Sequence, residues 1–340
     1  MSLFLVLCLL TVGGTYLASN VPNEEDMVHS FHEAQRFYAE GAYDQAIAQY
    51  EAVSRLRSRA LNTGSIQVAV GEEQFPLQEA AAYQVGNSFA KVYQEYARQA
   101  EDASAGDRRP QLIAQADSAF AASVGAFEHV ISHSINQVLI IQAYGRLIDL
   151  NFKAGEFPAV IDAADALAAA YPDAPQVIVG YYNTGWALYE MQDYDGAIDA
   201  FQALLARFTT GYQADRSLFQ IGECYLETGR YELAIDAYRQ LVDRQLLEDL
   251  TEVELRRMQR EKIAGLVDET ALELAAKAQI RIGTCYSRLG RYDEGLDAYR
   301  KVISLFSSER KLVEEAYQRM ADSYLERGDL EASISTYREA

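Results

Sequence analysis

One stretch of this chain is written twice, and that repetition limits the fold more than any single motif. Gly222-Glu-Cys-Tyr225-Leu-Glu-Thr-Gly229-Arg-Tyr231-Glu-Leu-Ala234-Ile-Asp-Ala-Tyr238 and Gly283-Thr-Cys-Tyr286-Ser-Arg-Leu-Gly290-Arg-Tyr292-Asp-Glu-Gly295-Leu-Asp-Ala-Tyr299 set small residues, glycines and tyrosines in matching columns. A unit of this size leaves one apolar face open, so its core exists only when copies stack. Gly222 and Gly283 carry no Cβ and let two helices approach closely. Gly229 and Gly290 suit a first helix that ends in a left-handed residue. Tyr225 with Tyr238, and Tyr286 with Tyr299, are the candidates to fill the space around those contacts.

Further copies follow on either side. Gly185, Leu188, Tyr194, Ala197 and Phe201 form one, Ala321, Tyr324, Gly328, Leu330, Ser333 and Tyr337 form the last, and Ala34, Phe37, Gly41, Tyr43, Ala46 and Tyr50 form the first. Two are degenerate: Gly155, Phe157, Val160 and Pro172 keep a turn and a terminal proline, and Gly86, Phe89 and Phe127 mark a unit with lengthened helices around Arg98 to Gln111. The pattern resembles the tetratricopeptide repeat, a pair of antiparallel helices of about 34 residues. The copies are also similar to bacterial extracytoplasmic tetratricopeptide proteins of the outer-membrane-assembly and Tol-Pal-coordinator kind. The resemblance implies an all-α helical-hairpin solenoid, a right-handed superhelix that binds partner proteins.

The spacings locate two inserted segments. Gly185 to Gly222 is 37 residues and Gly222 to Gly283 is 61. The expected organisation is units at 27–60, 79–134 (degenerate, long helices), 138–174 (degenerate), 178–210, 215–243, 276–308 and 314–340, with a loop at 61–78 and an inserted helix at 244–275. The loop contains a β-prone run, Ser65 to Val70. Thr251 and Glu254 are spaced as a capping box for the inserted helix, and Asp268 is the expected start of the next first helix. Ala340 falls near the end of a second helix with no polar capping helix after it, so the array reads as truncated, with docking of that end on a partner as the alternative.

Residues 1–22 form a separate segment. Met1 to Asn20 contain no charge, and Leu3 to Val12 are an apolar run broken by Gly13-Gly14, the form of a secretory signal. The same stretch is near the lower length for a membrane anchor, which leaves association with a membrane through this segment as a second reading. Export places the chain in the periplasm or beyond; a buried N-terminal helix of a cytoplasmic protein is the alternative. Cys8, Cys224 and Cys285 are too scattered for a disulfide framework or a four-cysteine zinc site.

A net charge of −20 repels phosphate backbones, so nucleic acid is excluded as a partner class. His29 with His32, and His129 with His133, sit at helical spacings but lack a third ligand, so no metal is expected. Cys224 and Cys285 share a column with Ser88, Ala187 and Ser323, which calls for a small buried side chain. No phosphate loop, nucleophile elbow or spaced acid pair occurs, so neither cofactor nor catalytic residue is expected.

Binding of a protein or peptide is the remaining class. In the helix Val179 to Gln192, Tyr181, Gly185 and Leu188 are the expected packing stripe, and Tyr182, Trp186 and Tyr189 lie about 100° away. Phe219, Glu223 and Leu226 of the next unit continue that concave surface, with Glu190 and Glu227 beside it. The function expected is a non-enzymatic scaffold of the cell envelope; the alternative is a regulatory repeat region of a larger protein.

Overall fold

The helical period is realised as fourteen α-helices among the residues that the computed structural model describes, 24–55, 66–247, 270–306 and 309–339. The chain divides into two units, 1–154 and 155–340. The segment read as signal or anchor, Cys8, the Thr251–Glu254 capping box and most of the inserted helix lie outside the described residues. Among the described residues, no helix is long and apolar enough to cross a membrane.

The first unit opens with α1 (Glu24–Ala39) and α2 (Tyr43–Ser54). Three acidic residues in the first turn of α1 face the positive end of its dipole. Phe31 and Tyr50, both fully buried, meet edge to face at 5.3 Å and hold the two helices together. The second half of the expected loop is a β-hairpin, β1 (Gln67–Val70) paired antiparallel with β2 (Glu73–Pro76). Alternation decides this: Val68 and Phe75 are cross-strand partners on the buried face, and Gly71 takes a left-handed turn conformation. The Gln35 side-chain amide donates to the Ala69 carbonyl at 2.8 Å and ties the hairpin to α1.

Two 25-residue helices follow, α3 (Leu77–Glu101) and α4 (Arg109–His133), joined by a 3₁₀ segment, Ala103–Arg108. The Phe127 ring lies on Gly86 so closely that a Cβ there would stand 2.7 Å from it. Ser123 donates to the Gly86 carbonyl at 2.8 Å beside that contact. α5 (Gln137–Ala154) begins where Asn136 Oδ1 accepts the Leu139 amide, an N-cap bond. The expected unit 138–174 is thus divided, with α5 in the first unit of the fold and its second helix in the other.

The second unit contains α6 (Phe157–Ala170), α7 (Gln176–Glu190), α8 (Tyr194–Arg207), α9 (Tyr212–Glu227), α10 (Tyr231–Leu247), α11 (Ala271–Arg288), α12 (Tyr292–Leu305), α13 (Arg310–Arg327) and α14 (Leu330–Glu339). α7/α8, α9/α10, α11/α12 and α13/α14 are hairpins of one design. At each turn an amide bonds back five residues, as Arg230 N to Tyr225 O at 2.8 Å and Asp193 N to Leu188 O at 2.9 Å, the Schellman closure. The closing residue is a glycine in three turns and Gln192, at φ 63°, in the α7/α8 turn. α11 is capped by Thr270, whose Oγ1 accepts the Glu273 amide at 3.1 Å while the Glu273 carboxylate accepts the Thr270 amide at 2.7 Å; Asp268, the expected start, lies outside the described residues.

In three of these hairpins the second helix places an aromatic ring over the glycine of its first helix: Phe201 over Gly185, Tyr238 over Gly222 and Tyr299 over Gly283. The next first helix then covers the far side of that second helix. Ile235, Tyr238 and Leu241 of α10 share a core with Leu274, Ala278 and Ile282 of α11, and Leu296, Tyr299 and Val302 of α12 pack on Ala316 and Met320 of α13. In α14 the equivalent residues Ile334 and Tyr337 are 46% and 47% exposed. The first helices also touch in sequence, α7 with α9, α9 with α11 and α11 with α13, so they form a continuous inner row.

Turn arginines brace this stack. Arg230 lies over the Tyr225 ring at 4.7 Å and pairs with Asp195 of the preceding hairpin at 2.7 Å. Arg291 repeats this with Tyr286 and Glu232, and Arg327 with Tyr324 and Asp293.

Candidate protein-binding surface

The inner row is read by position relative to the small residue at Gly185, Gly222, Gly283 and Ala321. One residue further on stand Trp186, Glu223, Thr284 and Asp322; four residues on stand Tyr189, Leu226, Ser287 and Leu325. These places lie one turn apart on one helix face. All six expected site residues, Tyr182, Trp186, Tyr189, Phe219, Glu223 and Leu226, are half-buried.

On α7 the aromatics form a connected group. Tyr182 meets Trp186 edge-on at 6.3 Å, Trp186 meets Tyr189 at 5.8 Å, and Tyr189 meets Tyr194 of α8 at 5.4 Å. The Arg216 guanidinium of α9 lies 5.8 Å from the Trp186 ring centre, a cation–π contact. Trp186 therefore packs against the α8/α9 core along one side and presents the rest of its ring. A ring set about 100° off the expected packing stripe is thus itself partly packed. The buried stripe of α7 also differs from the one expected, being Val177, Gly180, Thr184, Gly185 and Ala187, while Tyr181 and Leu188 stay half-exposed. Gly185 of this stripe faces the Phe201 ring of α8.

Burial raises the Tyr182 hydroxyl pKa, and burial together with Glu227 and Glu223 lifts that of Tyr189 to about 12. Both hydroxyls stay protonated near neutrality and can donate hydrogen bonds.

On α9 the residues face different neighbours. Phe219 lies against Tyr238 at 5.5 Å, and with Leu226 it packs on the α10/α11 core. Glu223 is engaged within the chain: Arg281 Nε of α11 donates to it at 2.8 Å, and the Tyr238 hydroxyl donates to the same oxygen. Desolvation works against the Arg281 charge, but Glu223 outweighs it and the guanidinium pKa is raised. Burial is the larger cause of the upward shift at Tyr238, with Glu223 adding to it. Glu190 and Glu227 are exposed beside this row. Sequence reasoning missed Arg216, Arg281 and Tyr238 as neighbours of the site. Arg281 was detectable, since Arg281 and Arg319 both stand two residues before the small residue of their helices.

Elsewhere, Cys224 and Cys285 are buried free thiols, and burial raises each to about 12. Ser88, Ala187 and Ser323 of the same column are buried as well. The His129 and His133 rings stack at 4.3 Å on the exposed side of α4, and burial and His133 together lower the His129 pKa. His32 bonds the Gln35 side chain at 3.0 Å.

Two comparisons with known sequences bear on the repeats. Models of the tetratricopeptide repeat match residues 182–245 and 274–340. FK506-binding protein 5 of Rhizopus delemar is 27% identical over 95 residues, which cover 28% of this chain and 21% of that protein, so the chain spans about a fifth of its length. Among solved structures, the apo form of RapI aligns over 92% of this chain and 75% of its own, with a TM-score of 0.52 and 13% identity, a likeness of fold. A MamA structure aligns over 58% of this chain and 88% of its own at 18% identity and a TM-score of 0.42. YrrB aligns over 63% and 89% at 15% identity and 0.40. The repeated columns, the hairpins built on them and the matching models lead to one statement: this chain carries tetratricopeptide repeats in an all-α helical-hairpin solenoid.

Proposed function

We propose that the chain is a non-enzymatic scaffold that holds a protein or peptide partner along the inner row of first helices, with the Trp186 group as its anchor. The observation that carries this reading is the connected set Tyr182, Trp186 and Tyr189, half-exposed on a face whose other side is already packed. Large aromatic surface with hydroxyls at its edge is the usual composition of an interface anchor. Exposed Glu190 and Glu227 beside it favour an apolar segment or helix that carries a few basic residues. Repeats of this type are typically non-catalytic scaffolds, which supports the same class. The setting proposed is the cell envelope, on the strength of the uncharged apolar run at Leu3 to Val12.

A peptide selected from a displayed library against the whole protein tests the anchor, because Trp186 is the single tryptophan and its emission reports this site alone. Saturating peptide is expected to shift that emission, and Trp186→Ala to weaken Kd by at least about tenfold. Trp186→Phe, which keeps a ring against Tyr182 and Tyr189, separates lost binding from lost packing. Unchanged emission at saturation, or full affinity in Trp186→Ala, would remove the anchor from this surface. For location, a reporter fused after residue 30 should be active outside the cytoplasm; activity confined to the cytoplasm would remove the envelope setting.

A second reading, the regulatory repeat region of a larger protein, is favoured by the match to only 21% of FK506-binding protein 5. The full-length gene decides it: an attached effector or catalytic domain supports this reading over a free-standing scaffold.

A further inference from the structure

Three successive first-helix pairs fill one inner position in three ways. Between α7 and α9 it holds Trp186 with Arg216 across its ring. Between α9 and α11 it holds the Glu223 carboxylate, gripped by Arg281 and by the hydroxyl of Tyr238. Between α11 and α13 the same partners are present and no carboxylate stands at the Glu223 position. Arg319 stands where Arg281 stood, Tyr299 where Tyr238 stood, and Thr284 takes the place of Glu223. Ser287 replaces Leu226, so the truncation goes deeper than one residue. The result is an open pocket of about 180 Å³ lined by Thr284, Ser287, Tyr299, Arg319 and Ser323. A water's share of liquid volume is ~30 Å³, so a side-chain carboxylate and its methylenes fit.

The polar groups that line it are held by long or neutral contacts within the chain. Tyr299 is 2% exposed, and its hydroxyl contacts Thr284 Oγ1 at 3.5 Å and the Ser287 side chain; Ser287 and Ser323 share a hydroxyl contact at 3.2 Å. The ion pair of Arg319 is with Glu315 on its own helix at 3.8 Å, against 2.8 Å for Arg281 with Glu223. At the rim, Arg288 occupies the column held by Glu190, Glu227 and Glu326 in the other first helices. On α11 the chain has thus exchanged two acids, those at the Glu223 and Glu227 positions, for a neutral and a cationic residue, against a net charge of −20. Asp322 and Glu326 also line the pocket and bring negative charge from α13, and the Asp322 carboxylate is engaged by the Tyr337 hydroxyl.

We propose that this pocket binds an aspartate or glutamate side chain of a partner, which takes the place that Glu223 fills within the chain one interval earlier. Arg319 supplies the charge and the Tyr299 hydroxyl supplies a neutral donor, while the Thr284 hydroxyl donates to the Ile280 carbonyl at 3.2 Å and leaves the space that a longer side chain would fill. This deepens the scaffold reading, since it rests on the inner row facing a partner, and it adds an acidic contact two helices along from the aromatic anchor.

The test uses the full chain, ¹⁵N-labelled, titrated with three small probes. N-acetylglutamate α-amide carries only a side-chain carboxylate, N-acetylglutamine α-amide carries none, and N-acetylglycine carries only a chain-terminal one. The glutamate probe is expected to shift the amides of Thr284, Ser287 and Ser323 saturably, with the glutamine probe at least about tenfold weaker. Arg319→Gln should weaken the glutamate probe to a similar degree. Thr284→Glu should rebuild the Glu223 arrangement, block the probe and raise the melting temperature. Equal shifts with the glutamine probe, full affinity in Arg319→Gln, or tighter binding of N-acetylglycine would each overturn the proposal. Thr284→Glu should leave the Trp186 emission response to the selected peptide intact, so failure here and failure of the aromatic anchor read out separately.

Discussion

The two units solve the same packing problem with different amounts of repetition. Around α3 and α4 one glycine, Gly86, receives one ring, Phe127, and the helices then run on for 25 residues each without a regular turn. From α7 to α12 the same glycine–aromatic contact occurs in three hairpins, and each hairpin closes through a backbone bond that reaches back five residues. The arginine braces occur in the second unit, since they need an aromatic, a turn arginine and an acid of the preceding hairpin in fixed phase. The difference teaches that the close glycine–ring contact is local and survives loss of period. The braces are a property of the period itself.

Glycine substitutions give the largest effect and the sharpest test. A Cβ on Gly222 would stand 2.4 Å from the Tyr238 ring and one on Gly86 2.7 Å from Phe127, and both rings are buried. Gly222→Ala and Gly86→Ala should each cost about 1–3 kcal/mol in urea denaturation, as overpacked core substitutions do. A cost near zero at Gly86 would mean that the first unit does not depend on this contact, and the comparison would break.

Next in size are the hydroxyls beneath the inner row. Tyr238→Phe removes a donor from the half-buried Glu223 and should cost about 1–2 kcal/mol. Tyr299→Phe, whose hydroxyl meets only neutral hydroxyls, Thr284 at 3.5 Å and Ser287, should cost clearly less by the same thermal melts. Equal costs would argue that the two intervals are not filled differently.

Two substitutions of opposite chemistry should both stabilise. Gln192 holds a left-handed conformation at the α7/α8 turn, where its neighbours use glycine, so Gln192→Gly should gain about 0.5–1 kcal/mol. Gly125 lies within α4 with nothing near its missing Cβ, so Gly125→Ala should gain a similar amount. A loss at either site, read as a lowered melting temperature, would show that local conformation does not set the balance there.

The smallest effect concerns the braces. Arg230→Gln removes a half-exposed ion pair and a cation–π contact and should cost less than about 1 kcal/mol, with most of it gone in high salt. A larger, salt-independent loss would make the braces part of the core.

The sequence by itself determined the repeat, its turns and the small-residue column, because those depend on residues at fixed spacing within one hairpin. Gly222 with Tyr238, and buried Cys224 in line with Ser88 and Ser323, follow from position in the period alone. The tertiary structure decided what the inner row presents, because each of its places is shared with the next first helix, across 58 residues for Glu223 and Arg281. The sequence placed Glu223 on the inner face, but its engagement came from α11. Trp186 was legible as an aromatic set apart, and the ring's packing against the α8/α9 core and Arg216 was not. The β-hairpin at Gln67 to Pro76 was half-visible as a β-prone run, and its second strand, rich in polar residues, became a strand only through pairing with the first and burial of Phe75.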